Sequence, residues 1–359
     1  MTIAFDRRRF LAATAGAASL PLLGRALQAA DPLKVGFIYV GPIGDFGWTH
    51  AHEMARQKMQ SELGDAVKTS YVENVPEGPD AERVLRQLAQ GGNKLIFATS
   101  FGFMNAAVKA AKQFPKVKFE HATGYKRGPN LATYNARFYH GRAVCGTIAG
   151  MMSKSGVGGY LASFPIPEVV MGINTFTLAA QKVNPKFKVR VLWLSTWYDP
   201  AKEADGAKAL LDQGCDIISQ HTDSPAALQA CQERGAFGFG QASDMSSVAP
   251  KAQLTAIMDN WAPYYTMRAK EAIAGTWKTG NTWWGLKEGL TQMAPYGAMV
   301  PDNVRKAADA TKNAIIAGTL NPITGPVKDN KGVERLKPGV GITDAELEKM
   351  DWYVEGVQS

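Results

Sequence analysis

The sequence predicts an α/β protein of two lobes, each a parallel sheet flanked by helices. Three observations lead there. Short β-rich runs alternate with helical patterns from about residue 33 onward, and a repeated βα order implies parallel strands with helices on both faces of the sheet. The alternation runs through twice on a similar plan. The chain has 359 residues, long enough for two domains.

The elements follow in order. Residues 34–40 (KVGFIYV) read as a strand, and 48–63 as a helix with Ala51, Met54, Ala55 and Met59 at three- and four-residue spacing. Strands at 67–72, 94–98 and 118–122 alternate with helices at 80–90, ended by Gly91-Gly92, and 105–114, closed by Pro115. A helix at 141–152 carries the chain across. The second unit then offers strands at 157–162, 188–194, 216–220, 236–240 and 254–258. Its helices fall at 167–183, 201–213, 226–234 and 262–274. After Trp283 the chain is expected to return to the first lobe through a helix at 301–317, and 323–350 reads as coil. The expected lobes are therefore 31–152 with about 284–359, and 153–283.

Residues 1–30 read as an address rather than as fold. Arg7-Arg8-Arg9 precedes Phe10-Leu11 and an uncharged apolar stretch to Leu23, and Leu27-Gln28-Ala29 offers small residues for cleavage. The arginines indicate a twin-arginine export signal, hence a periplasmic protein. No cysteine lies near the cleavage region, so no lipid anchor is expected. No later stretch is long and uncharged enough to span a membrane.

Composition excludes several functions. The formal charge is +8; four arginines and one aspartate lie within residues 1–29, leaving about +5 beyond them. That excess is dispersed, unlike the dense basic stripe of a nucleic-acid binder. Cys145, Cys215 and Cys231 have no CxxC spacing and give neither a disulfide framework nor a zinc site, although Cys215 and Cys231 are left able to pair. The five histidines form no metal pattern. There is no G-x-S-x-G elbow, H-E-x-x-H or Walker A loop. A paired-carboxylate hydrolase using Asp223 and Asp244 is the one catalytic alternative. The expectation is a non-enzyme, a monomer, with no metal and no cofactor.

Open parallel sheets bind ligands outside the carboxyl ends of their strands. Those ends here carry Phe46, Gly47 and Trp48, then Ser100 and Phe101, then Thr123; in the second unit they carry Trp197 and Tyr198, and then Asp244. Aromatics and small polar groups in this arrangement suit a flat ligand, stacked on its faces and oriented at its edge. Phe46 and Trp197, one from each lobe, are the expected stacking pair.

Four stretches carry a resemblance. They are Gly44-Asp45-Phe46-Gly47-Trp48 after Val35-Gly36-Phe37, Phe119-Glu120-His121-Ala122-Thr123-Gly124-Tyr125, Ala162-Ser163-Phe164-Pro165-Ile166-Pro167-Glu168, and Trp197-Tyr198-Asp199-Pro200-Ala201-Lys202-Glu203. Over about residues 32–320 the chain resembles the basic membrane protein family of solute-binding proteins, related to the purine-nucleoside receptors of bacterial ABC importers. The resemblance implies a two-lobed periplasmic-binding-protein fold of the first type, hinged by three crossings. It also implies an ABC permease as partner and a purine held between two rings, which fall on Phe46 and Trp197. The family's Asp-x-Asp loop reads Ala242-Ser243-Asp244 here, and a strand that often ends in Lys ends in Asp259. Both groups expected to hold a sugar are thus missing, so the implied ligand is a free purine base, adenine or hypoxanthine. A nucleoside is the alternative, and a nucleoside hydrolase the alternative of another class.

Overall fold

The structure, a computed structural model, describes residues 31–359. The expected export signal at 1–30 lies outside the described residues. The first lobe opens with β1 (Leu33–Ile38), α1 (Trp48–Leu63), β2 (Val67–Val72), α2 (Pro79–Gln90), β3 (Leu95–Ala98), α3 (Met104–Gln113), β4 (Lys118–Ala122) and β5 (Leu131–Ala136). After α4 (Phe138–Met152) come β6 (Val157–Ala162), α5 (Pro167–Val183), β7 (Lys188–Trp193), α6 (Pro200–Asp212), β8 (Ile217–Gln220), α7 (Ala226–Glu233), β9 (Phe237–Ala242) and β10 (Gln253–Asp259). The chain continues through α8 (Ala262–Ala274), β11 (Asn281–Trp284), β12 (Thr291–Met293), α9 (Asp302–Ile316), β13 (Val327–Lys328), β14 (Glu334–Leu336), α10 (Asp344–Leu347) and β15 (Val357–Gln358).

The two sheets share one plan. The first runs β2-β1-β3-β4-β5 and the second β7-β6-β8-β9-β10, all parallel. This doubly wound order places its switch point at the carboxyl ends of the two central strands. In the first lobe Phe37, Phe97, Tyr134 and Tyr265 fill one face of the sheet and Leu85, Ile96, Phe119 and Leu131 the other. In the second, Tyr160, Phe176 and Phe239 fill one face and Leu161, Leu210 and Ile218 the other.

The lobe boundaries differ from the expected ones. Helix α4 is buried on nearly every face and lies in the second lobe's core. Its glycines allow this: a Cβ on Gly146 would meet the Phe176 carbonyl oxygen at 2.3 Å, and one on Gly150 the Ala180 oxygen at 2.5 Å, so α4 and α5 pack nearly backbone to backbone. Helix α8, expected in the second lobe, packs its Tyr265 and Ala269 with Phe37 and Ala55 of the first. Strand β11 extends the first sheet beside β5, whereas β12 and β15 border the second, beside β10 and β7. Helix α9 also belongs to the second lobe, where Val304, Ala308 and Ile315 join the cluster around α4. The chain therefore crosses between lobes three times, near residues 137, 260 and 285. The stretch expected as coil holds β13, β14 and α10, the last with a capping box between Thr343 and Glu346. All three cysteines are buried and unpaired.

Candidate functional site

Between the lobes lies a narrow cavity to which both contribute side chains. The first lobe lines it with Val40, Trp48, Ser100, Phe101 and Thr123; the second with Ile166, Glu168, Trp197, His221, Asp223 and Gln241. Most of these sit at or just past a strand's carboxyl end; Trp48 opens α1, and Ile166 and Glu168 flank Pro167 at the start of α5. The backbone is strained at the same rim. Among the described residues, the non-glycines with left-handed φ are Phe46, Asn74, Thr123, Ser195 and Ala242; the last four stand at strand ends and Phe46 in the loop that leads into α1.

Trp48 is anchored in the first lobe. Its indole Nε1 donates to the Thr99 carbonyl at 2.5 Å, and its ring meets those of His52 at 4.3 Å and Trp261 at 5.4 Å edge-on. Trp197 rests against Phe164, with ring centroids 5.1 Å apart. Both indoles line the cavity, one from each lobe.

The start of α1 ties the lobes together. Asp45 accepts from the backbone N–H groups of Gly47 at 2.9 Å, His50 at 2.9 Å and Thr49 at 3.1 Å. The remaining free amide, that of Trp48, donates to Asp223 Oδ1 across the cleft at 3.0 Å. Two carboxylates from opposite lobes thus share one helix end. Gly47 permits the approach, since a Cβ there would lie 2.5 Å from the Asp223 Cα. Burial, then the neighbouring Asp45, pushes the Asp223 carboxyl well above the usual carboxylate range.

Several buried polar atoms at this site have no partner among the described residues: Glu168 Oε2, Trp197 Nε1 and His221 Nδ1, with both Asp259 oxygens nearby. Unpaired buried groups of this kind are costly unless a ligand satisfies them. His221 Nε2 lies 3.2 Å from Glu168 Oε1. Burial pushes the imidazole pKa down against that bond, so the ring is neutral: Nε2–H donates to the carboxylate and Nδ1 remains an acceptor.

The expected site residues separate into two groups. Trp48, Ser100, Phe101, Thr123 and Trp197 come together around the cavity. Phe46 does not line it: a φ of 68° turns the residue outward, the ring lies parallel to His50 at 6.0 Å, and it is 40 % exposed. Gly47 serves the lobe contact. Tyr198 lines an outer groove with Asn74 and Glu77. Asp244 faces a second outer groove and is occupied within its own loop, accepting from Gln253 Nε2 at 2.7 Å and the Ser246 amide at 2.9 Å. It does not meet Asp223, so the paired-carboxylate arrangement is not formed. Sequence reasoning did not single out Glu168, His221 or Gln241 as site residues. His221 and Gln241 do follow the strand-end rule, and Glu168 lies within a recognised stretch. Among the described residues no group of side chains is placed to hold a metal ion, and no helix is long and apolar enough to cross a membrane.

The comparisons agree with this architecture. The family model described as ABC transporter substrate-binding protein PnrA-like matches residues 33–324. A purine-binding protein of Brucella abortus is 58% identical over 94% of this chain and 96% of its own. A putative ABC transporter glucose-binding protein of Haloferax volcanii is 33% identical over 93% of this chain and 83% of its own. Among solved structures, a solute-binding protein of Aeropyrum pernix K1 superposes with a TM-score of 0.71 at 18% identity, covering 89% of this chain and 98% of that one. One from Conexibacter woesei gives 0.63 at 21% identity, covering 80% and 97%. Two doubly wound lobes, three crossings and a lined cleft are what such a protein needs, and the chain belongs to the PnrA-like family of ABC transporter substrate-binding proteins.

Proposed function

We propose that this chain captures a free purine base, adenine or hypoxanthine, in the periplasm and delivers it to an ABC permease. The observation that carries the reading is the interlobe cavity, with an indole from each lobe and unpaired donors and acceptors at its edge. Flat faces suit a heteroaromatic ring, and the edge groups suit its nitrogens and exocyclic substituent. The name of the Brucella relative supports the same class. Closure about the three crossings brings the second lobe over a base held by the first. The ligand is a base rather than a nucleoside because Ala242 and Asp259 stand where the family's sugar-holding pair is expected. Trp261, fully buried against Trp48, adds bulk on that side. The protein acts as a monomer without catalysis, and reaches the periplasm through the twin-arginine signal.

The test is calorimetric titration of unfolded and refolded, ligand-free protein with adenine, hypoxanthine, adenosine and glucose. Free bases are expected to bind tightest and adenosine more weakly. Glucose binding without purine binding would overturn the reading. Release of base from added nucleoside would replace it with a hydrolase.

A further inference from the structure

Among the described residues Arg142 is the largest charged side chain sealed inside the protein, and it does not itself line the cavity. It projects from the second turn of α4 with no solvent exposure and packs against the Tyr160 ring, 5.3 Å from its centroid. Nη1 donates to Ser219 Oγ at 3.0 Å; Nη2 donates to the Gln220 carbonyl at 2.8 Å and to the Gln241 side-chain oxygen. Gln241 is 2 % exposed and lines the cavity from the end of β9.

This contact fixes the polarity of the amide. A guanidinium has only N–H donors, so the face of Gln241 turned to Arg142 must be the carbonyl oxygen. The NH₂ then points the other way. It donates to no described protein group, and it is not among the polar atoms sealed in the interior. It is therefore presented to the cavity. A glutamine without this partner could turn either end to a ligand.

We propose that Gln241 donates a hydrogen bond to an unprotonated ring nitrogen of the ligand, and that Arg142 is a positioning residue that fixes the donor's direction. The inference rests on the purine reading. It assigns complementary tasks within the second lobe: Glu168 and His221 Nδ1 accept from the ligand, while Gln241 gives.

The experiment is titration of the refolded, ligand-free protein with adenine and its 1-deaza, 3-deaza and 7-deaza analogues, each replacing one ring nitrogen by C–H. The parent should bind one of the three about tenfold more weakly than adenine, since the amide is then left unpaired. Gln241→Glu keeps an oxygen for Arg142 and puts an acceptor where the donor stood. It should bind adenine about tenfold more weakly and lose the discrimination against that analogue. Arg142→Lys, which can still donate to the amide oxygen, should retain it. Equal binding of adenine and all three analogues by the parent would overturn the proposal and leave the purine reading standing. So would a Gln241→Glu variant that weakens every ligand by one factor and keeps the discrimination. If no purine binds the parent, the purine reading fails and this inference with it.

Discussion

The two lobes have the same strand order and contribute opposite chemistry. Every ionisable group lining the cavity, Glu168, His221 and Asp223, comes from the second lobe, while the first supplies rings and hydroxyls. Behind the first lobe's wall lie more rings, with Trp261 and Tyr265 packed on His52 and Tyr134 packed on both of them. Behind the second lie Arg142, Glu203 and further carboxylates. The topology sets where a ligand sits, and the side chains placed at equivalent strand ends divide the labour. The first lobe is suited to hold a flat ring and the second to read its edge.

Four tests would break or sharpen that contrast. The largest effect is expected at the lobe contact. Gly47→Ala places a methyl against the Asp223 backbone, so the lobes cannot close fully; overpacking of this kind costs about 1–3 kcal/mol, and ligand affinity should fall up to about a hundredfold in titration. An unchanged affinity would mean that closure does not need this approach. Next comes Trp197→Ala, which removes a stacking face and should weaken purine binding about tenfold to a hundredfold, whereas Phe46→Ala should change it less than about threefold. The reverse ranking would return the first ring to Phe46.

The remaining two tests concern protons. Burial pushes the Glu203 carboxyl up to about 7, although the Asp199 and Ser224 amides donate to it. Its folded pKa lies above the ordinary glutamate value, so its stabilising contribution is present at low pH. That contribution is lost as pH rises from about 4.5 through about 7, on the order of 3 kcal/mol in all. Thermal melts across that window should show this slope in the parent and not in Glu203→Gln. The smallest effect is on ligand affinity. Burial at the lobe contact, then Asp45, holds Asp223 protonated more readily than an aspartate in water, so if ligand binding requires that contact, binding should weaken as pH rises through the raised value. Asp223→Asn, which can still accept from Trp48, should flatten that dependence; an unaltered pH profile would exclude Asp223 as its source.

Local pattern carried much of the fold. The helix expected at 167–183 coincides with α5 and that at 262–274 with α8. What pattern could not supply was partnership. Nothing within α8 indicates that its Tyr265 packs with Phe37, more than two hundred residues away. Likewise, α4 is buried on nearly every side and reads simply as apolar, and its Gly146 and Gly150 reveal their role only once α5 lies against them. At the site, the strand-end rule located Trp48, Ser100, Thr123 and Trp197. It could not foresee that a left-handed backbone at Phe46 turns that ring outward, or that Asp244 is occupied by its own loop. Arg142 sits inside a helix far in sequence from Gln241, and spacing alone gives no sign of their contact.

The sheets also differ at their margins. Three-residue β12 and two-residue β15 border the second sheet, and a short border offers another chain few backbone groups to pair with. The first sheet leaves six-residue β2 at its margin, with Tyr71 and Val72 exposed. Lys68 on that strand places charge along it, whereas Arg56, stacked over Tyr71 at 5.1 Å, is paired with Glu53. Self-association during refolding would therefore begin at β2, through strand pairing between molecules, and it would be sensitive to salt, which screens the Lys68 cation.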